Sequence, residues 1–123
     1  MKKEFVNFIC EIHGYLIRVK EIHWNTDSNS EHLLCDDFHK ELLDLEDEFA
    51  EVCMGLEGKK FDIGKLLPLV PNATKFTSVL SEFEQDILKI KKQTSDNKYG
   101  GINSILDDML ALVNKYKYRA TQR

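Results

Sequence analysis

The sequence predicts an all-α protein, a four-helix bundle with one long crossover between its second and third helices. Apolar residues recur at intervals of three and four along most of the chain, the spacing of one helix face. Only two prolines and six glycines occur in 123 residues. Gly58, Gly64, Pro68 and Pro71 gather between Glu57 and Asn72, the one real break in the helical pattern. With 42% hydrophobic residues and no repeat or low-complexity tract, residues 1–123 read as a single domain that can bury a core without staples.

The first helix is expected over 3–24, because Phe5, Phe8, Ile9, Ile12, Tyr15, Leu16, Val19 and Ile22 line one face. The polar stretch 25–30 is a turn, and Ser28-x-x-Glu31 has the form of a capping box that starts the second helix just ahead of His32. That helix, over 29–56, should face the core with Leu34, Phe38, Leu42, Leu45, Phe49, Val52 and Leu56, which fall between about 200° and 280° on a wheel with His32 at zero. The stretch 57–72 is long for a helix connection. Extended at ~3.3 Å per residue it reaches about 50 Å, against roughly 40 Å for the second helix, so it can return along the bundle and leave the second and third helices parallel. The third helix is expected over 73–93 and the fourth over 102–120, separated by a polar turn and Gly100-Gly101.

Composition excludes several classes. No apolar run approaches the ~20 residues of a membrane span. The start, MKKEFVNFICEIHGY, interrupts any signal-peptide core with Glu4, Glu11 and His13. A soluble, unsecreted, cytoplasmic protein is expected. Cys10, Cys35 and Cys53 have no C-x-x-C spacing and read as buried reduced thiols. A net charge of −4 disfavours nucleic acid as a partner.

The chemistry concentrates between His23 and Glu51. Five potential metal ligands lie there: His23, His32, Asp36, Asp47 and Glu51. His32 and Asp36 are four apart, as are Asp47 and Glu51, so each pair sits one turn apart on one face. On the wheel the four span about 100°, yet Asp36 and Asp47 stand roughly 16 Å apart along the axis, too far to share one ion. One chain cannot close such a site. A second copy running antiparallel about a two-fold axis near residues 41 and 42 sets Asp47 and Glu51 opposite the partner's His32 and the partner's Asp36, giving two equivalent sites.

An acidic pair on a helix is ordinarily a solvated face, and a lone histidine beside an apolar stripe is ordinarily a core residue. Here they occur together. From Glu31 to Glu57 there are ten acidic residues and one basic residue, Lys40, an excess that calls for an external cation. Leu43, Ala50 and Met54 fall among the ligands on the wheel, an apolar admixture that suits a partner surface. Imidazole and carboxylate donors suit iron, zinc or manganese. The third and fourth helices contain no histidine, so a di-iron site inside one bundle is disfavoured, and His13 and His39 read as surface or interface residues.

The run resembles the Dps miniferritins of the ferritin-like superfamily. His23-Trp24-Asn25 is similar to their HWN, His32-x-x-x-Asp36-x-Phe38 to their H-x-x-x-D-x-F, and Asp47-x-x-x-Glu51 to their D-x-x-x-E. The connection between HWN and the second histidine is shorter than in that family and lacks its usual Gly and Phe. The resemblance implies a ferritin-like fold and a ferroxidase that oxidises Fe(II) with peroxide or dioxygen. Its site would take His23, His32 and Asp36 from one subunit and Asp47 and Glu51 from the next, with Trp24 as the aromatic beside the centre. It also implies an antiparallel dimer, a twelve-subunit iron-storing shell, and zinc as a substitute metal. Against this stands a different class, a non-catalytic helical structural or interaction protein.

Overall fold

The computed structural model describes residues 1–122. Within them lie four α-helices, α1 (Lys3–Asn25), α2 (Asn29–Glu57), α3 (Phe76–Gln93) and α4 (Gly100–Arg119), with a 3-10 turn at Asn97–Tyr99 leading into the last. The protein is all-helical. Helix α1 packs on α2 and α3, and α4 packs on the same two, around one continuous core.

Local chemistry sets the ends. Ser28 Oγ accepts from Glu31 N at 3.2 Å, which caps α2, although Ser28 N is taken by Thr26 Oγ1 and so the second half of the capping box is not made. Gly58, at φ 65°, ends α2 in the left-handed conformation that glycine adopts without strain. Helix α1 has no side-chain cap, but Lys2 N donates to both carboxylate oxygens of Glu57, 3.1 and 2.9 Å away, so the end of α2 holds the start of α1. Helix α3 begins at Phe76, three residues later than the pattern suggested. At its other end Thr94 and Asn103 bond reciprocally and clasp α3 to α4.

The core face of α2 differs from the expected one. Cys35, Glu46 and Cys53 are buried with Leu34, Phe38, Leu42 and Phe49, whereas Leu45 and Val52 are only half-buried and Leu56 is exposed. The buried stripe is rotated by on the order of 40° toward the candidate ligands. Small thiols pack as readily as apolar groups, and all three cysteines are buried and free. Burial pushes the Cys35 and Cys53 thiols up to about 12, so they are inert at neutral pH. Around them Phe5 and Phe8 meet Phe49 edge-on, and Phe38, Phe76 and Tyr116 form a second edge-on group near the start of α2 and α3.

Residues 58–75 contain no helix. They lie along α1: Phe61 and Leu66 pack against the core, Leu69 N donates to Cys10 O at 2.9 Å, and Leu66 O accepts from His13 Nδ1 at 3.0 Å. Gly14 makes this approach possible, because a Cβ there would overlap the Leu69 carbonyl. Gly14→Ala gains helix propensity of up to ~1 kcal/mol but must push the segment away, a cost of about 1–3 kcal/mol. The variant is expected to melt roughly 3–10 °C lower and to be cut faster by protease within 58–75; an unchanged Tm contradicts this packing.

Between α1 and α3, Glu11 and Asp86 share a cavity of about 350 Å³ with Lys89, and Tyr15 OH donates to Asp86. Burial, then the hydrogen bond and charge of Asp86, raise the Glu11 carboxyl from 4.5 to about 8. A carboxyl raised in the folded state contributes stability that is complete below its unfolded value and is lost as pH rises through the folded one. Tm should therefore fall between pH 4.5 and 8, and Glu11→Gln should flatten that slope. Equal slopes for the two proteins would show that Glu11 ionises normally.

Candidate metal centre

His23 lies in the last turn of α1 and His32 in the first turn of α2. The short turn between the helices brings them face to face, rings stacked at 3.8 Å and 17°. Each imidazole bonds the other's backbone: His23 Nδ1 donates to His32 O at 2.7 Å and His32 Nδ1 donates to His23 O at 2.8 Å. A carbonyl only accepts, so both Nδ1 atoms carry the proton, and in each neutral ring Nε2 keeps a lone pair. A backbone bond that fixes the tautomer and orientation is what metal-ligating histidines commonly have. The exchange also satisfies the His23 carbonyl, one of the last-turn groups that a helix leaves unpaired.

Asp36, one turn on, is half-buried, and it holds two ammonium groups: Lys40 Nζ stands 3.1 Å from Oδ2 and Lys20 Nζ 3.8 Å from Oδ1. The Lys40 hydrogen bond, aided by the charges of His23 and Lys20, holds its carboxyl below the usual carboxylate range against the opposing effect of burial. His39 is half-buried, and burial, followed by the charge of Lys20, lowers its imidazole below the usual value. Trp24 is 70% exposed.

Asp47 and Glu51 are exposed, about 16 Å and more along α2 from Asp36. The chain thus brings His23 and His32 together, with Asp36 one turn further along α2, and leaves the second pair apart. Among the described residues no three His, Cys, Asp or Glu side chains converge closely enough to hold a metal. The donor types suit a first-row divalent ion, but a single chain supplies an incomplete set.

Sequence reasoning counted Lys40 as the only cation of its stretch and so overstated the free charge of α2. Other helices and the N-terminus answer much of it: Glu41 pairs with Lys115 and Tyr116, Asp37 with Arg119, Glu57 with the terminal amine and Asp36 with Lys20. Among the described residues Glu31, Asp44, Asp47, Glu48 and Glu51 form no ion pair, so apart from Glu31 the uncompensated charge lies in the half of α2 that carries the second ligand pair. Lys20 was detectable, since three residues before His23 it shares that helix face.

His13 and Glu46 were also missed as a pair. His13 is half-buried, and its Nε2 lies 3.1 Å from the buried Glu46 Oε2, an ion-pair distance without hydrogen-bond alignment. Burial raises the Glu46 carboxyl, opposed by His13 and assisted by Asp47. On the neighbouring surface Ile17, Leu43, Leu69 and Val70 are 40%, 42%, 51% and 41% exposed, respectively.

Residues 23–120 match the model of a family of unknown function, DUF5856. The chain belongs to this family. No curated protein and no solved structure matches it. The matched region of this DUF5856 member begins at His23 and contains both histidines and all three carboxylates of the candidate centre.

The reciprocal bonds give a direct expectation. Long-range 1H–15N spectra of the metal-free protein at pH 8 should show both rings as the Nδ1–H tautomer, and His32→Ala should keep His23 as Nδ1–H, bonded to the backbone carbonyl of residue 32, while destabilising the protein by about 0.5–1.5 kcal/mol through the one lost side-chain bond. An Nε2–H tautomer for either ring contradicts the arrangement.

Proposed function

We propose that the protein is a ferritin-like four-helix bundle with a long crossover over 58–75, which pairs through antiparallel α2 helices and oxidises ferrous iron at two sites between the subunits. The observation that carries this reading is the mutual locking of His23 and His32, which leaves both Nε2 lone pairs free one helical turn from Asp36 in sequence. Asp47 and Glu51, exposed and without counter-ions, are the carboxylates a neighbour would add. The two-fold related copy places them opposite the histidines, and the exposed Ile17 and Leu43 lie among the elements such a contact would cover.

The bundle reading draws support from the way 58–75 lies along α1 and from α2 and α3 starting near one another, where Phe38 meets Phe76. The chemistry follows from the donors. Imidazole and carboxylate bind Fe(II), and the added negative charge favours the ferric product. Two ferrous ions each release one electron; peroxide accepts both and, with two protons, becomes two waters. Peroxide as an oxidant alongside dioxygen, Trp24 as the aromatic beside the centre, and a storage shell of twelve subunits follow from the resemblance to Dps. Zinc, which takes the same ligands and cannot change oxidation state, should inhibit.

One observation favours the alternative, a helical interaction protein without catalysis: two lysines already neutralise Asp36. Mixing separates the readings. Asp36→Ala and Glu51→Ala should each lose Zn(II) binding, and an equimolar mixture that exchanges subunits should regain part of it, since one of the two sites in the mixed dimer keeps every ligand. Ferric absorbance after anaerobic peroxide addition should rise faster for wild type than for buffer or for the His32→Ala, Asp36→Ala double variant. Equal rates in all three, with both proteins folded dimers, would leave the interaction reading; a monomeric wild type would remove the intersubunit site.

A further inference from the structure

We propose that Lys40, seconded by Lys20, is the resident counter-ion of Asp36, competing with divalent metal for that carboxylate and setting the affinity of the site. The inference rests on the metal reading above. A lysine four residues after an aspartate on a helix is by itself an ordinary surface pair. Here two ammonium groups reach separate oxygens of one carboxylate, one from α2 and one from α1, at 3.1 and 3.8 Å. That carboxylate is the one beside the locked histidines, while the carboxylates of Asp47 and Glu51 carry no ammonium. The two cations therefore stand where a metal's charge would stand.

A divalent ion on Asp36 and two ammonium groups a few ångströms away repel one another, so at least one lysine has to leave. The exposures say which. The Lys40 side chain is 71% exposed on a flexible unbranched stem, and it can swing into water. The Lys20 side chain is only 35% exposed and is less free to go. Exposed pairs of this kind are weak, so removing the Lys40 charge should tighten metal binding only a few-fold, about two- to fivefold. The metal-free protein keeps Asp36 in place through Lys40, and the metal-bound protein releases Lys40 to solvent. Monovalent ions at ordinary concentrations gain too little from Asp36 to displace it.

The test titrates Zn(II) alone into the full-length protein by calorimetry, at low and at moderate ionic strength. The proteins compared are wild type, Lys40→Met, Lys40→Gln, Lys40→Arg and, as a charge control on another part of α2's surroundings, Lys115→Met, which breaks the pair to Glu41. Lys40→Met and Lys40→Gln should bind Zn(II) two- to fivefold tighter than wild type, with the difference shrinking as salt rises. Lys40→Arg should stay within twofold of wild type and Lys115→Met should be unchanged. Equal or weaker binding by both neutral variants, with wild-type stoichiometry, overturns the role of Lys40 and leaves the metal site standing. A gain as large in Lys115→Met overturns it too, by reducing the effect to net charge. Absence of stoichiometric Zn(II) binding in every protein, each shown to be folded and dimeric, removes the metal reading and this inference together.

Discussion

The hairpin of α1 and α2 is pinned at both ends by side chains that answer backbone groups of the facing helix. At one end His23 and His32 exchange bonds with each other's carbonyls. At the other Glu57 receives the Lys2 amide and approaches the terminal amine. Helix ends are where unpaired backbone groups accumulate, so these contacts fix the register of the two longest elements where it is least determined by core packing. With that register set, Phe5 and Phe8 meet Phe49, Lys20 reaches Asp36 and His13 reaches Glu46.

The same histidines that hold the hairpin keep free Nε2 lone pairs, which in the proposed site would link stability to ligand binding. An imidazole whose Nδ1 is committed to a carbonyl is preorganised through Nε2, so a ligand there does not have to order it. The link runs in both directions. A stacked pair at 3.8 Å constrains how far either ring can rotate toward an ion, and any geometry that needs them apart has to break a bond that also closes the hairpin. The short turn thus holds both imidazoles at the helix junction.

Periodicity made the four helices and most of the core legible, because burial of an apolar stripe needs only the right spacing along one strand of sequence. What it missed depends on partners far away in sequence. Glu46 is buried where α2 faces His13 of α1. The core face of α2 is rotated because Cys35 and Cys53 pack as apolar residues do. Gly14 looked like an ordinary helix-interior glycine, yet it marks where 58–75 crosses the α1 backbone. At the site, the one-turn spacing of His32 and Asp36 and the separation of Asp47 and Glu51 could be computed from helix geometry alone. The pairing of His23 with His32 could not, since it follows from the length of the turn between two helices rather than from either helix.

The acidic stretch of α2 shows the same limit and what remains after it is respected. A count along the chain treats every carboxylate as free, whereas cations from α1, α4 and the N-terminus neutralise those that face neighbours within the subunit. Apart from Glu31, the residues left over, Asp44, Asp47, Glu48 and Glu51, are neighbours on successive turns, and like charges at that spacing repel. Such a cluster raises the free energy of the isolated chain and lowers it again when a cation, whether a metal or a basic partner, comes within reach. The uncompensated charge therefore points outward from α2, away from the cations that neutralise its first half, while the locked histidines sit at the other end of the same helix.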